Sequence, residues 1–179
     1  MKQVIISLIS EFDYYFAENG FLRKSHSLTC IRKLDGVTQK VEIVFFSNPS
    51  YHPGALAFIY PHMQIYIPSV NGITKEYASH IIPSKWLYQF TIRQPIQIYS
   101  SSGNFYLMDM NACESLKDQL LDFFEKNAIP LLNDVISEKD YLSLYENKDK
   151  RIIWDDNQYL YIAATYLNNH DLNLSLIHI

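Results

Sequence analysis

The sequence is poor in the groups that usually carry chemistry. It has two cysteines, Cys30 and Cys113, in 179 residues. They lie far apart with no CxxC spacing, which excludes a disulfide framework or a cysteine-rich zinc module. Two small thiols in a reducing compartment are what remains. Only five glycines are present. None stands in a GxGxxG or P-loop arrangement, and there is no nucleophile elbow. The six histidines, His26, His52, His62, His80, His170 and His178, never fall at HxH, HxxxH or HExxH spacing. No cofactor and no metal are expected, although His52, His62 and His80 are free to converge in space. No apolar run approaches the roughly 18 residues of a membrane span. The start "MKQVIISLISEFDYYF" has no small-residue cleavage site before Glu11 and Asp13, so a cytoplasmic protein is expected.

What is present is a large apolar fraction, 48% of residues, with 19% charged. At this length that sustains a sizeable core and argues against disorder. One domain over 1–179 is expected, with helix and sheet in 1–110 and a helical part in 111–179. The net charge of -4 conceals an asymmetry. Residues 21–100 carry eight Lys/Arg and three Asp/Glu, while residues 101–179 carry six and thirteen. Fourteen tyrosines fit a binding surface. Together with 21 isoleucines against 8 alanines, they also fit the codons of an AT-rich genome.

Residues 2–18 read as an amphipathic helix with Val4, Ile5, Leu8, Ile9, Phe12, Tyr15 and Phe16 on one face, stopped at Asn19-Gly20. "SLTCIRKLDGVTQKVEIVFF" (27–46) reads as a hairpin turning at Asp35-Gly36 through a type I′ turn. That loop pairs Leu34 with Val37, Arg32 with Gln39, Cys30 with Val41 and Leu28 with Ile43. Their shared face is apolar except at Arg32/Gln39, so the hairpin is half buried. "ALAFIYPHMQIYIPS" is extended, and Pro61 makes it an edge strand or marks a bulge. "NGITKEYASHI" suggests a short helix, and "QPIQIYSSSGNFYLMDM" a second hairpin turning at 101–104. Asn111 with Glu114 resembles a capping box before a helix over 112–128, which Pro130 interrupts. Ser137 with Asp140 suggests another helix start. "NQYLYIAATYLNN" suggests a third helix with Tyr159, Ile162, Ala163 and Tyr166 inward. The ending "LSLIHI" reads either as part of a helix begun at Asp171 or as translated adapter sequence. The fold class is α+β: an antiparallel sheet of about four to six strands, packed by an N-terminal helix and several C-terminal helices.

Two sets of residues are candidates for function. Glu114, Asp118, Asp122 and Glu125 stripe one side of the 112–128 helix, opposite Leu116, Leu120, Phe123 and Phe124. Such a stripe is either a solvated face or a docking surface for a basic partner. Tyr60, His62, Gln64 and Tyr66 share the polar face of their strand and form the candidate pocket, with His62 as a possible general base. Basic residues concentrate at Arg23, Lys24, Arg32, Lys33 and Lys40. The chain is acidic overall and few aromatics share that hairpin face, so no nucleic-acid partner is expected.

"GFLRKSHSLTCIRKLDGVTQKVEIVFF", "FIYPHMQIYIP" and "FFEKNAIPLLNDVISEKDYLSLY" resemble a group of small bacterial domains of unknown function. Gly20-Phe21, Lys24, Arg32, Gly36 and Pro130 sit where that pattern places them. The Gln-Lys-Ser such domains often carry after the hairpin is replaced by Phe45-Phe46-Ser47. Some members look like immunity proteins that neutralise toxins of competing bacteria. The resemblance implies this fold. With the lack of catalytic motifs, the composition and the acidic helix face, the leading expectation is a non-enzymatic, cytosolic protein-binding domain, an immunity protein against a basic toxin, with neither nucleic acid nor membrane as partner. The alternatives are a small-molecule-binding or enzyme domain with a pocket near His62, and a structural or regulatory interaction module.

Overall fold

Alternating residues of the hairpin face opposite ways, and this alternation organises the whole molecule. The computed structural model describes residues 1–78, 89–95 and 105–169. Strands β2 (Thr29–Leu34) and β3 (Val37–Ser47) pair with Leu34 opposite Val37, Arg32 opposite Gln39 and Cys30 opposite Val41, the register expected. Ile43 N–H donates to Leu28 O at 2.8 Å, which extends the pairing by one step. The turn differs from the expectation. Gly36 has φ +70, but Asp35 is not in the left-handed region. A type I′ turn needs positive φ at both positions, so this turn is of another type that uses the glycine alone.

The odd-numbered residues Val37, Val41 and Ile43 of β3 and Ala57, Ile59, Met63 and Ile65 of β4 (Ala57–Tyr66) are buried. They form the inner face of a six-stranded antiparallel sheet. Its order is β1 (Leu22–Arg23), β2, β3, β4, β5 (Ile92–Pro95), and β6 (Phe105–Leu107) also pairs with β4. The α+β architecture is therefore the one expected.

β4 is not an edge strand. It pairs with β3 from Thr38↔Tyr66 to Ser47↔Ala57 without a bulge, and on its other side with β5 and β6. Proline is tolerated here for a geometric reason. The backbone groups of Ile43 face β2, so Ile43↔Pro61 is a non-hydrogen-bonded pair of the β3–β4 ladder. The nitrogen of Pro61 points to the opposite side. There β5 pairs with His62–Ile65 and β6 with Ala57–Ile59. Among the described residues none pairs with Pro61 on that side, so none of their ladder bonds is lost. β5 and β6 run in the same direction along β4, so they are not the two arms of a hairpin. The turn expected at 101–104 lies outside the described residues, as does the segment from Asp171 onward.

The N-terminal helix is broken in two, α1 (Lys2–Ser10) and α2 (Asp13–Glu18), by a turn at Glu11-Phe12. Its inward face survives the break: Ile5, Leu8, Ile9, Phe12 and Phe16 are buried. α2 ends in a Schellman-type cap. Phe21 N–H donates to Phe16 O and Gly20 N–H to Ala17 O, with Gly20 at φ +78. Phe12 and Phe16 pack on Phe124 at 5.5 and 5.0 Å between ring centroids.

Asp109, rather than Asn111, opens the next helical stretch. Its carboxylate accepts from Asn111 and Ala112 N–H at 2.7 and 3.0 Å. A 3-10 turn (Met110–Ala112) leads into α4 (Cys113–Phe123), a π-helical turn (Phe124–Ala128) and α5 (Ile129–Asp134). Pro130 does not interrupt this run. The π turn, in which Ile129 N–H donates to Phe124 O, lets the helix carry a residue that lacks an N–H and crowds the preceding turn. Ser137 caps α6 (Glu138–Glu146) by accepting from Asp140 N–H, as expected. α7 (Asp156–Asn168) buries Gln158, Tyr161, Ile162, Thr165 and Tyr166, while Tyr159 is exposed. Its inward face is rotated from the expected one because α7 packs on both α3 (Pro68–Ala78) and α6. One cluster of buried side chains runs from Ile5 to Tyr166.

Three polar side chains interrupt the inner face. Gln39 and Arg32 are bonded, whereas Gln94, opposite Met63, has a buried Oε1 with no hydrogen-bond partner among the described residues. Gln39 is fully buried, and its amide donates to Leu132 O and Val135 O at 2.5 and 2.8 Å. Arg32 Nε donates to Gln39 Oε1 at 2.7 Å. Its terminal nitrogens donate to Leu132 O, Asn19 O and Asn133 Oδ1. Its guanidinium lies 4.6 Å from the Phe21 ring centroid. The pair thus satisfies the last carbonyls of α5, where the helix dipole is negative. A side chain on Gly20 would press on Arg32 Cδ at 3.2 Å. The apparent exception in the hairpin's apolar face is the clamp that joins sheet to helix.

Candidate interaction surfaces

The charged helical surface is built on α4. Leu116, Leu120, Phe123 and Phe124 are buried, so helical periodicity puts Glu114, Asp118, Asp122 and Glu125 in solvent. All four carboxylates are exposed. The surface is wider than one helix, because Lys117 pairs with Glu114 and also with Glu11 between α1 and α2, at 3.1 Å. Asp122 pairs with Lys126. Among the described residues neither Asp118 nor Glu125 has an ion-pair partner. Glu125 is felt by Tyr15, whose hydroxyl is pushed up to about 12, first by burial and then by this carboxylate. Exposed Tyr14 lies on α2, and its bond to Glu18 raises its pKa. Five acidic and two basic residues make up this surface, with tyrosines beside it. The sequence pointed to the stripe but not to Glu11 or Lys117, whose contact crosses from one helix to another.

The second surface is the outer face of the sheet. The register lines up Glu42 with His62, and Lys40 with Gln64 and Arg93. Gln64 is 2% exposed; its amide donates to Glu42 Oε2 at 2.9 Å, and Lys40 pairs with Glu42 at 3.5 Å. His62 packs edge-on against Tyr60 at 4.9 Å. Burial, then the positive charge of Arg93, pull its pKa below the usual histidine range, against the pull of Glu42. Among the described residues His62 Nδ1 and Gln64 Oε1 have no hydrogen-bond partner, yet both atoms are shielded from solvent. The four residues Tyr60, His62, Gln64 and Tyr66 do share one face. They form a half-covered polar row there, in which Gln64 is buried and the other three are half-buried.

Beyond Tyr60 the outer face becomes aromatic. Phe46, Phe58 and Tyr106 stand side by side across β3, β4 and β6. Phe46 and Phe58 lie 6.3 Å apart at 17°, and Phe58 and Tyr106 5.0 Å apart at 32°. The 48–56 loop folds back over them. His52 stacks on Tyr106 at 4.1 Å and Tyr51 meets Phe58 edge-on at 6.0 Å. Phe46 remains 51% exposed and Tyr51 62%. Sequence reasoning missed this row. The outward parity of Phe46 with Lys40 and Glu42 was a usable signal, but β6 and the loop join only in three dimensions.

Neither of two open cavities collects catalytic groups. One, of about 320 Å³, lies between α1 and the start of α4, with Val4, Leu8, Met110 and Cys113 among its walls. The other, of about 360 Å³, lies in the 48–56 loop. Among the described residues no three His, Cys, Asp or Glu side chains come together as metal ligands; His80 lies outside them. Cys30 is buried and its thiol is pushed up to about 12 by desolvation, which makes it inert. Among the described residues no helix is long and apolar enough to cross a membrane. Compared with protein families, with curated proteins and with solved structures, the chain matches none.

Proposed function

We propose that this chain is a non-enzymatic protein-binding domain whose partner is a basic protein, acting in the manner of a toxin-neutralising immunity protein. The observation that carries the reading is the acidic surface of α4. Its carboxylates are held in solvent by the packing of the opposite side of the helix, and Asp118 and Glu125 stand without a paired cation among the described residues. Exposed charge of one sign steers a partner of the other sign and speeds encounter. It repels phosphate backbones and anionic lipid. A small-molecule site at His62 is less well supported, because the two unpartnered atoms there are already shielded from solvent.

The test is capture from lysate of the source cells by wild type and by Asp118→Lys/Glu125→Lys. The expected result is a basic protein held by the wild type and lost by the variant, with an association rate that falls as salt rises through the range where exposed charges are screened within about 10 Å. Both forms should melt alike, since the two positions are exposed. Retention of the same partner with unchanged on-rate and salt dependence would reduce the stripe to a solvated face.

A further inference from the structure

We infer that the aromatic end of the outer sheet face is the contact of a symmetric homodimer, with a second copy of this chain as its occupant. The inference is independent of the acidic surface. It starts from a run without charge: the 32 residues from Ile43 to Thr74 contain no Asp, Glu, Lys or Arg. This run supplies β4, its loop and the outward end of β3, and so the ground on which Phe46, Tyr51, His52, Phe58 and Tyr60 stand.

A two-fold axis brings each group near its own copy. Charged groups near such an axis meet a like charge. Here there are none within the run. The polar groups around the rings are Asn48, Ser50, Tyr51, His52 and Tyr106, and each is both donor and acceptor when neutral. Such groups can bond to their own copies, which ammonium or carboxylate groups cannot do. A heterologous partner, by contrast, would gain neither steering nor register from a charge-free patch. Phe46 and Phe58 are nearly parallel, Tyr106 is tilted beside them, and Phe46 and Tyr51 leave about half or more of their surfaces to solvent. Exposed aromatic side chains of this kind are the usual anchors of protein contacts.

The experiment is sedimentation equilibrium of the full chain across micromolar to millimolar concentration, at low and high salt. The variants are Phe46→Glu/Tyr51→Glu, Phe46→Ser, and Asp118→Lys/Glu125→Lys. Wild type is expected to dimerise, and dimerisation should hold or strengthen with salt because no ion pair is screened. The double glutamate variant should be monomeric, and Phe46→Ser should weaken dimerisation about tenfold or more, as for a buried anchor. The helix variant should dimerise as wild type does, whatever becomes of basic-protein capture. Circular dichroism melts confirm that each variant folds. A wild type that stays monomeric at all concentrations overturns the inference. So does a dimer that survives the double glutamate change, or one that dissociates as salt rises.

Discussion

The two faces of the sheet treat their polar residues differently: the inner pair of the hairpin is fully engaged, and the outer row on β4 is not. On the inner face, Arg32 and Gln39 sit in the core and engage Asn19, Leu132, Asn133 and Val135 at 2.5 to 3.1 Å. On the outer face, His62 Nδ1 and Gln64 Oε1 have no partner among the described residues, and the row ends in exposed rings. On the inner face only Gln94 Oε1, on β5, is left in the same state among those residues. Buried polar groups cost free energy unless paired. The inner pair is therefore architecture, tightly specified by two strands and a helix end. The outer row carries uncompensated polarity and exposed apolar area that folding alone does not explain. The acidic surface around α4 is a third case, in which Glu11, Glu114 and Asp122 are ion-paired and Asp118 and Glu125 are left to solvent.

Substitutions should separate these faces by size of effect. Ile43→Ala on the inner face removes a residue 2% exposed and should destabilise by about 2–4 kcal/mol, the range for emptying a buried aliphatic site. Chemical denaturation checks it, and an unchanged midpoint would mean that the inner face is not close-packed. Gln39→Ala strands Val135 O and the Nε of Arg32. A loss of about 1–3 kcal/mol is expected, and it should exceed that of the outward Thr38→Ala beside it. Equal losses would end the distinction between clamp and surface.

His62 sharpens the comparison through pH. Its folded pKa lies below the ordinary 6.5. Between these two values the unfolded chain binds more protons, so stability is fully present above about 6.5 and falls as pH drops through the folded value. His62→Gln should flatten that slope in denaturation midpoints measured from pH 7 to pH 5. A slope unchanged by the substitution would remove His62 as its source. The smallest effect belongs to the exposed helix side. Asp118→Lys/Glu125→Lys should move stability by no more than about 0.5 kcal/mol per site, the usual range for surface changes. A larger loss would mean that these carboxylates support the fold.

Some of this was legible from local pattern alone. The alternation in 27–46 and the Asp-Gly turn were enough for the hairpin register, because a one-residue slip would turn Cys30, Val41 and Ile43 outward. The 3.6-residue period placed Ile5, Ile9 and Phe16 inward and Asp118 outward, and Ser137 marked its helix start. Each of these signals is complete within a few residues. The acidic stripe was therefore readable, since exposure follows from the apolar side of the same helix.

Other features depend on which element lies beside which, and periodicity does not say. Pro61 made β4 look like an edge, yet it sits in the middle of the sheet, its nitrogen facing the side where β5 and β6 pair with different parts of the strand. Pro130 looked like a helix breaker until the π turn before it absorbed the misfit. Arg32 bonds across 100 residues to Leu132, so its place on an apolar face made no local sense. The aromatic row gathers Phe46, Phe58 and Tyr106 from three strands. Local sequence determined which way the side chains of the hairpin and of α1, α2 and α4 point, though not all of those of α7. Only the tertiary structure decided what they meet there, because those contacts join segments the chain separates by tens of residues.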